Sequence, residues 1–250
     1  MYWTRSLLKQ NAKQVLRESY WRVFLAWLLT SLGAGAAAGV LANIVLFVPT
    51  LVVSLATIGS PEAYLAGILF VYLLFLVFIL VFNTLVTMPL TVGGIRYTME
   101  NRCGYPPLDS VLSPFRNKEQ YLNVAKATLM YLLEIFGFTL LFIVPGIVRG
   151  YQLRYVPYLL AENPYMSYRR AKELSKALTS GEKSAIFVLD LSFIGWYLLG
   201  YLTCGLGVYF LLPYVQATMA ELYAAARAKA FALGLSNEEE LSGFAAYPKR

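Results

Sequence analysis

Long uncharged stretches dominate the pattern of hydrophobic and polar positions along the chain. No charged residue stands between Arg22 and Glu62, and none stands between Glu62 and Arg96. A helix of about 20 apolar residues crosses the hydrocarbon core of a membrane, which is about 30 Å thick. Both stretches exceed that length, so the pattern predicts membrane-spanning helices and not the core helices of a globular domain.

Apolar runs and the turn signals between them predict six spans. The middle of the second span holds no Gly or Pro, which favours one long tilted helix, and Pro145-Gly146 separates the third span from the fourth. The predicted fold is therefore an all-α polytopic membrane helix bundle, with one integral membrane domain over residues 1–233 and a mobile cytoplasmic tail over 234–250. The six spans are predicted at about residues 20–45, 64–94, 123–144, 147–160, 184–202 and 206–224.

The chain opens with an amphipathic segment over residues 1–19. Basic residues surround a narrow apolar stripe, which is formed by Leu8, Ala12, Val15 and Leu16. Such a segment is typical of a helix that lies in the headgroup region of an anionic membrane. The alternative is a solvated run-up to the first span, and the interfacial helix is the favoured interpretation.

A second amphipathic segment is predicted over residues 167–182. Ser167 is a suitable N-cap, and Ala171, Leu174 and Leu178 fall on one face. The segment is polar elsewhere, so it is expected to lie on the membrane face or against the bundle without spanning.

The charges orient these spans. Charged residues make up 14% of the chain, against roughly 25% in ordinary globular proteins. With six spans, 19 of the 21 Lys and Arg residues fall on the side that carries both termini, and these 19 include Lys249 and Arg250. The other two lie within the fourth span. Cytoplasmic loops carry the excess of Lys and Arg, so both termini are predicted to be cytoplasmic.

The net charge of +7 also bears on partners. Cations beside a membrane attract acidic headgroups, so anionic lipids at the cytoplasmic face are the expected partners. No basic and aromatic surface on a soluble domain supports nucleic-acid binding. A membrane protein partner or a homo-oligomer stays open.

Candidate catalytic groups are sparse. The chain has no histidine, no Gly-rich phosphate loop and only Cys103 and Cys204, which the topology puts on opposite sides of the membrane. These features argue against Ser-His-Asp or Cys-His nucleophiles and the common metal sites. The sequence therefore predicts no catalytic residue, metal or cofactor, and an enzyme of unusual lipid chemistry ranks last.

Four ionisable residues at membrane depth form the candidate site: Glu134, Arg149, Arg154 and Asp190. At a rise of about 1.5 Å per residue, Arg154 and Asp190 lie at the same depth from the cytoplasmic ends of their spans, and Glu134 lies a little over one helical turn deeper. Arg149 is expected to point to the outer interface. The cluster is interpreted either as a structural ion pair, which is favoured, or as the lining of a cavity for a lipid headgroup, an ion or a proton.

Several strings resemble a bacterial membrane-protein family catalogued as domain of unknown function 975. They are residues 8–13 (LKQNAK), 143–148 (IVPGIV), 157–164 (PYLLAENP), 187–196 (FVLDLSFIGW) and 212–214 (LPY). The resemblance covers nearly the whole chain. It implies a six-span protein of the bacterial cytoplasmic membrane, found mostly in Gram-positive organisms, and it implies no activity.

Two functions are expected from these features together. The leading one is a non-enzymatic bundle that acts in lipid or envelope homeostasis or as an accessory subunit of a membrane complex. The alternative is a small transporter or channel with a polar path near Arg154, Asp190 and Glu134.

Overall fold

A computed structural model describes residues 3–248, so Lys249 and Arg250 of the charge count lie outside the described residues. Within that range the chain is helical and has no strand, which confirms the all-α prediction. The helices, numbered in chain order, are α1 (Arg5–Ala56), α2 (Pro61–Phe82), α3 (Met88–Glu100), α4 (Lys118–Leu141), α5 (Ile143–Gln152), α6 (Val156–Glu162), α7 (Tyr168–Thr179), α8 (Lys183–Leu202) and α9 (Leu206–Ala232).

Four helical segments of the described residues are long and apolar enough to cross a membrane: Arg5–Ala56, Pro61–Glu100, Lys118–Leu141 and Lys183–Leu202. The second joins α2 to α3 through a π-helical turn at Asn83–Thr87, so the predicted long helix is present. The predicted fourth span falls on α5 and α6, which are too short to cross alone.

The prediction of a separate interfacial helix at the N-terminus is wrong. α1 starts at Arg5, where the Thr4 side chain accepts from the Leu7 N–H at 3.3 Å, and continues past Pro49 to Ala56. Leu8, Ala12 and Leu16 are buried, and α1 makes its most extensive contacts with α9. An apolar stripe of this kind can be covered by protein as well as by lipid, and here a helix covers it.

Polar side chains tie α1 to the last third of the chain. The Trp3 indole donates to Glu182 at 2.8 Å, and the Tyr20 hydroxyl donates to the Phe210 carbonyl at 2.7 Å. The Asn11 amide also donates to Glu221 at 3.5 Å, so α1 and α9 run antiparallel. Residue 20, the predicted start of the first span, therefore lies beside the first turns of α9 and not level with residue 224, the predicted end of the sixth span.

The break between the third and fourth predicted spans lies at Phe142 and not at Pro145-Gly146. Phe142 is extended, with φ −159° and ψ 143°, and Pro145 lies in the first turn of α5. Proline is tolerated there because the first-turn N–H groups have no partner within the helix. Gly146 packs against Thr139, and a Cβ at that position would overlap the threonine side chain and backbone.

α7 and the α8–α9 hairpin follow the predictions more closely. Ser167 caps α7 by accepting from the Arg170 N–H at 3.3 Å, and Ala171, Leu174 and Leu178 are buried. α8 begins and ends within about one residue of the predicted fifth span. α9 runs eight residues beyond the predicted end of the sixth span at 224.

The segment after α9 lies against α6, α7 and α9. Leu241 is fully buried, and Arg227 donates to its carbonyl at 2.8 Å. The Arg170 guanidinium bonds the Glu240 carboxylate at 2.6 and 2.8 Å, and the Gly243 N–H donates to Glu162 at 2.9 Å. The mobility predicted for this tail stays a prediction.

Candidate functional site

The first charged pair of the candidate site joins the turn after α5 to α8. Arg154 donates from both terminal nitrogens to the two carboxylate oxygens of Asp190, each at 2.8 Å. This two-bond geometry fixes the relative orientation of the two planar groups. The Tyr151 hydroxyl donates to the same carboxylate at 2.9 Å. The structure thus pairs Arg154 with Asp190, the two residues that the sequence predicts at the same membrane depth.

The second pair is separate from the first. Arg149 of α5 bonds Glu134 of α4, and its other terminal nitrogen donates to Gln152 at 2.5 Å. The expectation that Arg149 points to the outer interface is wrong, because its side chain turns into the bundle and only 9% of the residue is exposed. α5 runs back along α4 from Phe142, so Arg149 faces a carboxylate and not the outer surface.

α7 contributes two residues to the second pair that sequence reasoning missed. The Tyr168 hydroxyl and the Lys172 ammonium donate to Glu134 at 2.5 and 2.7 Å. Burial raises the pKa of Tyr168 to about 12, so the phenol stays protonated and can donate. Burial, and then the nearby charge of Arg149, lowers the pKa of Lys172. Their i,i+4 spacing, which puts both on one face of α7, was the only available signal.

A groove of about 570 Å³ lies between α4, α5 and α9 beside the first pair. Its polar lining includes Tyr151, Arg154 and Gln216, and its apolar lining includes Ile135 and Val215. About a quarter of the Arg154 side chain is exposed, against 10% for Arg149 and 14% for Glu134. The groove therefore reaches the Arg154–Asp190 pair, whereas the Glu134–Arg149 pair is more deeply covered.

The arrangement offers hydrogen-bonding groups but little net charge. Each carboxylate already holds at least one guanidinium, and the Arg154 guanidinium also lies 3.1 Å from the Met219 sulfur. Within residues 3–248, no group of three His, Cys, Asp or Glu side chains is placed to hold a metal ion. What the groove can do chemically is to accept and donate hydrogen bonds beside an apolar wall.

Comparisons with known proteins place the chain in a family. A family model described as a protein of unknown function (DUF975) matches residues 5–230. The chain belongs to the DUF975 family. Both charged pairs and the groove of this DUF975 protein lie inside the matched region, whereas the segment after α9 lies outside it. No curated protein and no solved structure matches the DUF975 chain.

Proposed function

We propose that this protein is a non-enzymatic polytopic membrane protein of the bacterial cytoplasmic membrane, with both termini cytoplasmic. In this proposal it holds the polar end of a membrane lipid in the groove beside Arg154 and acts in lipid or envelope homeostasis. The observation that carries the proposal is the groove itself, which brings a paired guanidinium, hydroxyls and an amide next to apolar side chains.

The chemistry of the groove suits an amphiphile. Tyr151, Arg154 and Gln216 offer hydrogen bonds to a headgroup, and Ile135 and Val215 offer an apolar wall to the first part of an acyl chain. Asp190 balances the charge of Arg154, so the groove favours a zwitterionic or hydroxyl-bearing group over a bare anion.

Exposed apolar side chains support the spans beyond the four that length and composition identify. On α9, Leu206 and Phe210 are more than half exposed, as are Leu198 and Leu202 on α8, which is one of those four. Contiguous exposed apolar surface of this kind is costly in water and stable in lipid. α5 and α6 together cover residues 143–162, a length that can cross as a broken helix because the turn between them is enclosed by protein.

A small transporter is the second candidate. The observation that favours it is that the α4–α5 and α8–α9 hairpins flank the groove, as paired repeats flank the substrate site in many transporters. A transport path would have to open to both sides of the membrane, so accessibility separates the two functions.

The test uses one cysteine in the groove and one outside it. Gly150 lines the groove and Gly137 does not, and neither has an atom within 4 Å of the position a Cβ would take. Gly150→Cys and Gly137→Cys are made with Cys103→Ser and Cys204→Ser, then treated from each side with a membrane-impermeant thiol reagent.

Lipid binding predicts that Gly150→Cys is labelled from one side, that added phospholipid slows the labelling in detergent, and that Gly137→Cys is unreactive. Labelling of Gly150→Cys from both sides would favour transport. A folded protein without any labelling at position 150 would contradict both functions, because the groove would then be closed.

A further inference from the structure

Two lysines of α1 face the α8–α9 hairpin without an acidic partner. Lys9 lies 4.4 Å above the ring centroid of Phe193, and Lys13 lies 5.9 Å from that of Tyr214. Among the described residues, no Asp or Glu side chain lies within ion-pair distance of either ammonium group. Like charges at i,i+4 destabilise a helix slightly, and an anion bound between the two ammonium groups would relieve that repulsion.

An apolar groove of about 500 Å³ begins at Lys13 and extends between α8 and α9. Trp196 and Phe210 are among its walls. Its floor is formed by Gly200 and Gly207, where a Cβ would come within 2.9 Å of the neighbouring helix backbone. The two glycines bring the helices close together, and the larger side chains around them leave the space open.

We propose that this groove binds an anionic phospholipid. Its phosphate lies between the Lys9 and Lys13 ammonium groups, and one acyl chain follows the wall that Trp196 and Phe210 form. Lysine suits this role because its flexible stem carries a charged head to the headgroup level while its methylenes contact apolar surface.

The charge of this groove separates it from the groove beside Arg154. There Asp190 cancels the guanidinium charge, whereas here Lys13 lines an apolar groove and Lys9 lies one helical turn away, and neither has a counter-ion among the described residues. The inference therefore stands on its own residues and survives even when the proposed function fails.

The experiment measures quenching of Trp196 by phospholipids with brominated acyl chains. Trp3 and Trp27 are buried and Trp21 is exposed, so Trp21→Phe leaves Trp196 as the one exposed tryptophan of the chain. The protein is reconstituted into vesicles that contain brominated phosphatidylglycerol or brominated phosphatidylcholine at matched mole fractions.

We expect the anionic lipid to quench Trp196 at a severalfold lower mole fraction than the zwitterionic lipid does. Lys9→Gln with Lys13→Gln should bring the two lipids to equal quenching, and Lys9→Arg with Lys13→Arg should keep the preference. Lys126→Gln, an exposed lysine of α4 outside the groove, removes one charge and should keep it too.

Equal quenching by the two lipids in the Trp21→Phe protein would overturn the proposal before any lysine is changed. An unchanged preference in the double Gln variant would overturn it as well, because the preference would then come from the general positive charge of the cytoplasmic face. The parent protein alone tests the headgroup preference, so the proposal is falsifiable even when the double variant does not fold.

Discussion

Glu134 is the residue whose loss should destabilise the bundle most clearly. It accepts hydrogen bonds from three donors on two other helices: Arg149, Tyr168 and Lys172. Glu134→Gln keeps the shape of the side chain and removes its charge. Arg149 is then left in the bundle interior without a counter-ion.

The magnitude follows from the burial of Arg149. Removal of one partner from a buried ion pair costs about 3–5 kcal/mol, because the remaining charge stays desolvated. We expect the lower end, about 3 kcal/mol, since Gln152 still accepts from Arg149 and the Phe138 ring centroid still lies 5.0 Å from the guanidinium. Replacement of Glu134 and Arg149 together by Leu should cost less than the two single changes combined, because no buried charge is stranded.

The assay is reversible unfolding in mixed micelles, with the free energy of unfolding measured for Glu134→Gln and for the cycle of Glu134→Leu, Arg149→Leu and the Leu double variant. Arg169→Gln is the control, because it breaks a pair with Glu173 whose side chains are 90% and 54% exposed, and such a pair is worth less than about 1 kcal/mol. A cost below about 1 kcal/mol for Glu134→Gln, or full additivity in the double variant, would refute the reasoning.

Two further predictions concern the tail and the α4–α5 turn. The hydrogen bond from Arg170 lowers the pKa of Glu240, so its contribution to tail docking is present above pH 4.5 and lost as the pH falls through the lowered pKa. Amide protection factors over 234–248, which are corrected for the intrinsic pH dependence of exchange, should fall in acid, and in Glu240→Gln they should already be low at neutral pH. Gly146→Ala should cost about 1–3 kcal/mol in the unfolding assay because its Cβ overlaps Thr139, whereas Gly150→Ala should stabilise the protein by up to about 1 kcal/mol, and equal costs would contradict the packing argument.

The hydrophobic pattern located most helices but not their partners. Apolar length and turn residues are local properties, so α7 and α8 could be predicted to within a few residues. Whether a stripe such as Leu8, Ala12 and Leu16 meets lipid or protein depends on residues about 200 positions away, and periodicity contains no such information.

The candidate site shows the same limit. Position along the helix axis predicts that Arg154 is level with Asp190, and the two residues form an ion pair. The same estimate fails for Arg149, because it does not show that Glu134 is within reach and that the side chain therefore points into the bundle. Tyr168 and Lys172 were missed because α7 was interpreted as a peripheral helix, and nothing in its own sequence shows that it reaches Glu134.

The hydrogen bond between Tyr20 and Phe210 joins residues 190 positions apart, and this spacing has a consequence for biogenesis. At about 5–20 residues per second, a ribosome needs about 10–40 s to synthesise the residues between them. During that interval α1 can contact α2 and α3, but its contacts with α9 are absent. In a nascent chain that stalls before residue 206, the side of α1 that faces α9 therefore stays uncovered, and only synthesis of α9 can cover it.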